Sequence, residues 1–241
     1  MEADPESRKN GPPAADPPGG EHKRAWTVPP RQRPHERACE LAFEELVSRE
    51  LPAETLEALG VTRENGLIHV PVLNSELVVD LSSRRVIVGD GGAARTAWAL
   101  LALHYLCARD VSQDLREVSF GHFHECRGYL GVFRKRIIGR FLATVGGREE
   151  QFQQACERLG ATRVAQPGIS YRFNVLPRVP ITIVRHGGDD ELGPDANVIY
   201  SADVEHLLPA EDCVVAAELL LDTLSGAPIH EATGGSDERR R

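Results

Sequence analysis

A chain of 241 residues has room for one domain with tails, or for two small domains, and 41% hydrophobic residues are enough to build a core. Aromatics supply only 5%, so Leu, Val, Ile and Ala must fill most of that core. The formal net charge of −8 argues against a general nucleic-acid coat, which needs basic surface to neutralise phosphates, and no run reaches the about eighteen apolar residues of a membrane span.

The N-terminal stretch to Pro34 holds half of the prolines, mixed with Gly, Ala and charges. Such a composition cannot bury enough apolar surface to offset its ordering entropy, so a disordered tail is expected over 1–34. It has no apolar h-region and does not read as a secretory signal. The five cysteines, Cys39, Cys107, Cys126, Cys156 and Cys213, are odd in number and scattered. That pattern predicts free thiols in a reducing cytoplasm rather than a disulfide framework.

The predicted domain runs from 35 to 225. Ala38, Leu41, Ala42 and Leu46 recur at helical spacing. A short helix follows from Pro52 to Leu59, with Pro52 suited to its start and Gly60 to its C′ position. Leu67–Leu73, Glu76–Asp80 and Arg85–Val88 then read as an antiparallel meander, with Pro71 putting the first strand at an edge because proline cannot donate to a ladder.

After Gly89-Asp-Gly-Gly92, a helix is expected from Ala93 to Arg109. Trp98, Leu100, Leu101, Leu103 and Leu106 make it apolar most of the way round, the mark of a central buried helix. The stretch 110–127 reads as loop, with at most a short strand at Val118–Phe120. A basic helix over 132–142 and another over 149–159, closed by Gly160, follow.

Three runs rich in Val, Ile, Tyr and Phe, at 171–177, 179–184 and 197–201, are split by Pro and Gly clusters and read as strands of one sheet. A last helix starts near Pro209 and stops at Gly226, and a disordered polar tail is expected over 226–241. The fold class is α+β: a mixed or antiparallel sheet packed against several helices, one of them central and buried.

The sequence also resembles a bacterial and archaeal domain-of-unknown-function family, DUF3786. The matching pieces are Leu56-x-x-Leu59-Gly60-Val61, Leu103-His104-Tyr105-Leu106, Val118-Ser-Phe120 with Gly128-Tyr129 and Phe133-x-Lys135-Arg136, Leu159-Gly160, Leu176-Pro177-x-Val179-Pro180, the acidic Asp189-Asp-Glu191, and Leu207-Leu-Pro209. They cover about Arg37 to Leu224, and their order carries the resemblance. It implies a fold unit and no established activity. Some relatives carry this domain beside a four-cysteine iron–sulfur cluster domain, which implies a link to metal or iron–sulfur metabolism; this chain has no such cluster motif.

Four stretches carry candidate chemistry. Gly89-x-Gly91-x-x-Ala94 stands between a predicted strand and a predicted helix, the setting in which glycines let backbone approach a pyrophosphate. Against that, Asp90 puts a negative charge beside the phosphates, and a meander precedes the turn instead of a βαβ unit. His122, His124 and Cys126 share one side if their segment is extended, and His104 with Cys107 adds donors one helical turn apart, so His104, His122, His124 and Cys126 form a candidate metal set. The competing reading is a solvent-facing loop near a helical histidine with its own hydrogen bonds. A Cys–His pair also permits a thiol nucleophile, although no third partner is indicated.

Arg136 and Arg140, four apart on the basic helix, can clamp a carboxylate or phosphate, or simply pair with acids of this chain. Asp189, Asp190 and Glu191 sit in a Gly-flanked loop dense enough in carboxylates for Ca²⁺ or Mg²⁺, though without EF-hand spacing, and dense enough for solubility alone. No catalytic signature is complete and no cofactor is identified. The sequence therefore reads as a non-catalytic binding or accessory module, with a protein partner or a small ligand and no membrane. The runner-up is a metal- or nucleotide-dependent enzyme.

Overall fold

The computed structural model describes residues 32–188 and 192–231. Helix α1 (Gln32–Ser48) buries Ala42, Phe43 and Leu46, a helical stripe. It takes in Gln32–Pro34, so the fold begins before the expected boundary at 35; residues 1–31 lie outside the described chain. Helix α2 (Ala53–Leu59) follows Pro52 and ends at Gly60, whose φ of 70° is the left-handed cap expected of it. A β-carbon at Gly60 would also stand 2.8 Å from Pro177 Cβ, so this position needs glycine for its contact as well as for its backbone.

Strands β1 (Thr62–Glu64), β2 (Leu67–Val72), β3 (Ser75–Asp80) and β4 (Arg85–Val88) form an antiparallel sheet in sequence order. β1 was not anticipated. It pairs only with Leu67–His69 through the turn Asn65–Gly66, where both φ values are positive, as a tight hairpin requires. Beyond His69 the outer edge of β2 lies past the end of β1, which is where Pro71 sits.

α3 (Thr96–Leu106) buries seven of its eleven residues, including Trp98, Leu101 and Tyr105. It lies against α1 and the last helix, as expected of a central helix. Two polar anchors hold its C-terminal end. Tyr105 OH donates to the Leu59 carbonyl at 2.5 Å, and the Arg49 guanidinium donates to the Cys107 and Ala108 carbonyls at 2.9 and 3.0 Å.

The second sheet is also antiparallel. It has β5 (Glu117–Ser119), β6 (Thr162–Arg163), β7 (Ile169–Leu176), β8 (Val179–His186) and β9 (Asp195–Ser201), in the order β5-β9-β8-β7-β6. The fold is α+β as expected, but with two sheets where one was anticipated. β4 cannot extend its sheet further because the chain turns back on it: Ile87 pairs with Ala93, and Ala94 N–H donates to Val86 C=O. The two sheets meet where Leu73 N–H donates to Asn174 C=O at 2.9 Å.

Between β5 and β6 the chain is helical. Two 3₁₀ segments, Phe120–His122 and His124–Tyr129, lead into α4 (Leu130–Phe133), a π turn (Arg134–Gly139) and α5 (Arg140–Ala143), followed by α6 (Glu149–Arg158). After β9 come α7 (Val204–Leu207) and α8 (Ala210–Leu224). Few as they are, the aromatics gather here. Phe120 stacks on Phe133 with centroids 4.1 Å apart, and Phe123 meets Tyr200 edge-on at 5.5 Å.

The stretch after Gly226 does not leave the fold at once. Ile229 is buried, its carbonyl accepts from Arg95 N–H, and Glu231 N–H donates to Ala93 C=O. The described chain thus stays packed to Glu231, six residues past the expected domain end at 225. Among the described residues, no helix is long and apolar enough to cross a membrane.

Candidate ligand-binding groove

Two helix ends build the centre of the site. His104 lies in the last turn of α3, and Asp212 lies in the first turn of α8, which starts after Pro209 and carries Glu211 and Asp212 where a helix N-terminus favours acids. His104 Nδ1 stands 2.5 Å from Asp212 Oδ2. Because a carboxylate only accepts, Nδ1 carries the proton. The hydrogen bond to Asp212 raises the His104 pKa above its usual 6.5, with burial opposing. Among the described residues Nε2 has no hydrogen-bond partner, and His104 lines an open groove.

The groove has a volume of about 730 Å³. α1 forms one wall with Ala38, Leu41 and Ala42, and Leu207 and Leu208 form the apolar part of the opposite wall. Its polar rim is mostly acidic: Glu45, Asp110, Glu125 and Glu205, against Arg109 and His206. Glu45 accepts from Arg109 at 3.1 Å, His206 Nδ1 stands 3.7 Å from Asp110, and Glu205 accepts the His124 backbone N–H at 3.2 Å. A second lobe of about 320 Å³ shares Glu125, Glu205, His206 and Leu208 and reaches inward to Phe123, Cys126 and Cys213.

The thiols of this region are not poised as nucleophiles. Burial pushes Cys107 and Cys126 up to about 11 and raises Cys213 well above the ordinary thiol value, so at neutral pH all three stay protonated. All five cysteines are free.

His104 is therefore a groove residue, but the four donors singled out in the sequence do not come together. Among the described residues no three His, Cys, Asp or Glu side chains gather as a group that could hold a metal. The reason is the backbone of 120–129. An extended chain would have put His122, His124 and Cys126 on one side. The 3₁₀ period of three instead puts Phe120, Phe123 and Cys126 on the buried face and leaves His122 and His124 exposed.

Arg136 and Arg140 are brought together, but against α8. Arg136 makes a two-pronged pair with Glu218, both bonds 2.8 Å, with Glu211 at 3.5 Å, and Arg140 pairs with Asp222. Their donors are already directed at acids of the chain. Asp189, Asp190 and Glu191 lie outside the described residues, between the end of β8 and the start of β9.

The Gly89–Ala94 turn closes a hairpin. Asp90 Oδ1 accepts Gly92 N–H, Val88 N–H donates to Gly92 C=O, and the chain then runs antiparallel to β4 before α3 begins at Thr96. The turn is neither at the helix N-terminus nor beside a parallel sheet, so the phosphate-cradle geometry is missing.

Asp212 was not picked out from the sequence, although a signal existed. It lies four residues before Ala216 on the face that α8 buries, and an acid on an apolar stripe calls for a partner. Glu45, Glu125, Glu205 and His206 carried no such signal, since their neighbours are set by distant segments.

The family model described as Domain of unknown function (DUF3786) matches residues 52–223. That span takes in His104, Asp212 and both sheets, while α1 precedes it. No curated protein and no solved structure matches the chain.

Proposed function

The chain belongs to the DUF3786 family, and on that premise we propose that it is a non-catalytic binding module whose ligand site is the groove between α1, α3 and α7–α8. The observation that carries this reading is the groove itself. It is large enough for a small ligand or a peptide side chain, half apolar in its walls and acidic at its rim. A ligand with a cationic or hydrogen-bond-donating head and an apolar body suits it. As for the link to metal or iron–sulfur metabolism, the described side chains do not fit a resident metal.

A panel of small amines, guanidines and carboxylates tests this. Saturation-transfer NMR on the full chain should detect binding of the cationic members, and each should be recovered unchanged. Leu41→Arg, at a half-exposed position, would place a competing cation in the groove and should abolish the signal without unfolding the chain. Binding that survives this variant would contradict the reading.

One observation favours a second reading, that of an enzyme. With Nδ1–H held by Asp212, neutral His104 offers Nε2 as a general base. Chemical conversion of a groove ligand that His104→Gln abolishes without loss of binding would establish it. The metal- and nucleotide-dependent forms of that reading draw no support from the donor geometry or from the Gly89 turn.

A further inference from the structure

The helical segment after the second 3₁₀ turn carries two sets of cations, and they are treated differently. Arg136 and Arg140 face α8 and are neutralised by Glu218, Glu211 and Asp222. Arg127, Arg134 and Lys135 are exposed, and among the described residues none has an acidic partner. Between them stand Tyr129, Leu130 and Val132, 46%, 42% and 43% exposed, three of the few large apolar side chains left in solvent. Gly128 and Gly131 add no cover, since a β-carbon at either would meet nothing within 4 Å.

The π turn contributes to this split. A wide turn at Arg134–Gly139 shifts the helical register, so that Arg136 and Arg140 reach α8 while Arg134 and Lys135 stay outside. The result is an exposed segment in which three cations with no acidic partner among the described residues are interleaved along the chain with three apolar side chains, on a protein whose net charge is −8.

We propose that the face formed by Arg127, Tyr129, Leu130, Val132, Arg134 and Lys135 docks an acidic segment of a partner protein, with Glu or Asp side chains meeting the cations and apolar side chains meeting Tyr129 and Val132. Local charge complementarity sets the sign of the partner segment, since the cations of this face call for carboxylates. Tyr and Arg are the side chains most enriched where binding energy concentrates in protein interfaces. The surface is separate from the groove, so either site can fail without the other.

The test uses the full chain, an acidic amphipathic peptide of Glu, Asp, Leu and Phe residues, and vesicles of phosphatidylcholine with phosphatidylserine. Backbone NMR shifts on titration with the peptide should centre on Arg127–Lys135. Charge reversal of Arg127, Arg134 and Lys135 to Glu should weaken binding by about tenfold or more, and raising the salt should weaken binding of the wild type but not of this variant. Tyr129→Ser with Val132→Ser should also weaken binding, which separates docking from diffuse attraction. Arg163→Glu, which reverses an exposed charge on β6, should have no effect. The proposal is overturned by shifts lying elsewhere, by equal loss with Arg163→Glu, or by vesicles binding this face while the peptide does not.

Discussion

Replacing Arg178 by Met should cost about 3–5 kcal/mol of stability, the range for removing one partner of a buried ion pair. Arg178 lies in the turn between β7 and β8 and is the hub that joins four segments. Its guanidinium donates to the carbonyls of Ala58 at 3.1 Å, Val111 at 2.7 Å and Ser112 at 2.7 Å, and to Asp203 Oδ2 at 2.7 Å. Asp203 is 1% exposed, and its other oxygen has no hydrogen-bond partner among the described residues. Among the described residues Arg178 is thus the one ion-pair partner of that carboxylate. Without it, a buried carboxylate loses its counter-charge, and the ends of α2 and of the 107–116 stretch lose a common anchor. A domain of this size has about 5–15 kcal/mol in total, so roughly a fifth or more of the stability goes. The melting temperature should fall by about 10 °C, at roughly 2–4 °C per kcal/mol. Urea unfolding followed by far-ultraviolet circular dichroism measures the loss. Adding Asp203→Leu to Arg178→Met should recover part of it, because no lone charge remains. A loss below about 1 kcal/mol, the value of an exposed pair, would refute the reasoning, as would a double variant worse than the sum of the two.

Asp212→Asn should lower the His104 pKa, followed by the imidazole proton shifts, because the hydrogen bond to Asp212 is the largest cause of its rise. The sign for stability follows from linkage. A raised folded pKa stabilises fully below the unfolded value near 6.5, and that contribution is lost as pH rises through the folded pKa, so the variant should flatten the fall in stability above 6.5. Gly60→Ala should cost about 1–2 kcal/mol by chemical denaturation, since φ is 70° and the new methyl would press on Pro177. At pH 7, iodoacetamide should leave Cys126, Cys156 and Cys213 unmodified in the folded chain and label them once it is unfolded, as read by mass spectrometry. Rapid labelling of Cys126 in the folded state would contradict the protonated, buried thiols described here.

Much of the fold was legible where the pattern is local. α3 announced itself because an apolar helix on all sides can only be buried, and Gly60, Gly160 and Gly226 marked helix ends that do have positive φ. β7, β8 and β9 followed from Val, Ile and Tyr runs between Pro and Gly clusters. β1 escaped because Thr62, Arg63 and Glu64 are all exposed and show no alternation; the Asn65–Gly66 pair was its one local sign. Over 120–126, residues three apart and residues two apart are hard to tell from so short a stretch, and the metal set rested on the wrong period. The C-terminal stretch is held by Ala94 meeting His230, and the site depends on His104 meeting Asp212, 108 residues later. No local pattern encodes such pairings. The basic helix shows the same limit, since its cations divide between α8 and solvent only once α8 is in place.

The groove as a binding site is tested most directly at His104. Titration of the full chain with a guanidine-bearing small molecule, followed through the His104 imidazole resonances, should move them together with the amides of Ala42, Cys107 and Leu208, and return the probe chemically unchanged. Resonances that stay still while the probe binds elsewhere, or a probe that returns altered, would contradict a non-catalytic ligand site in this groove.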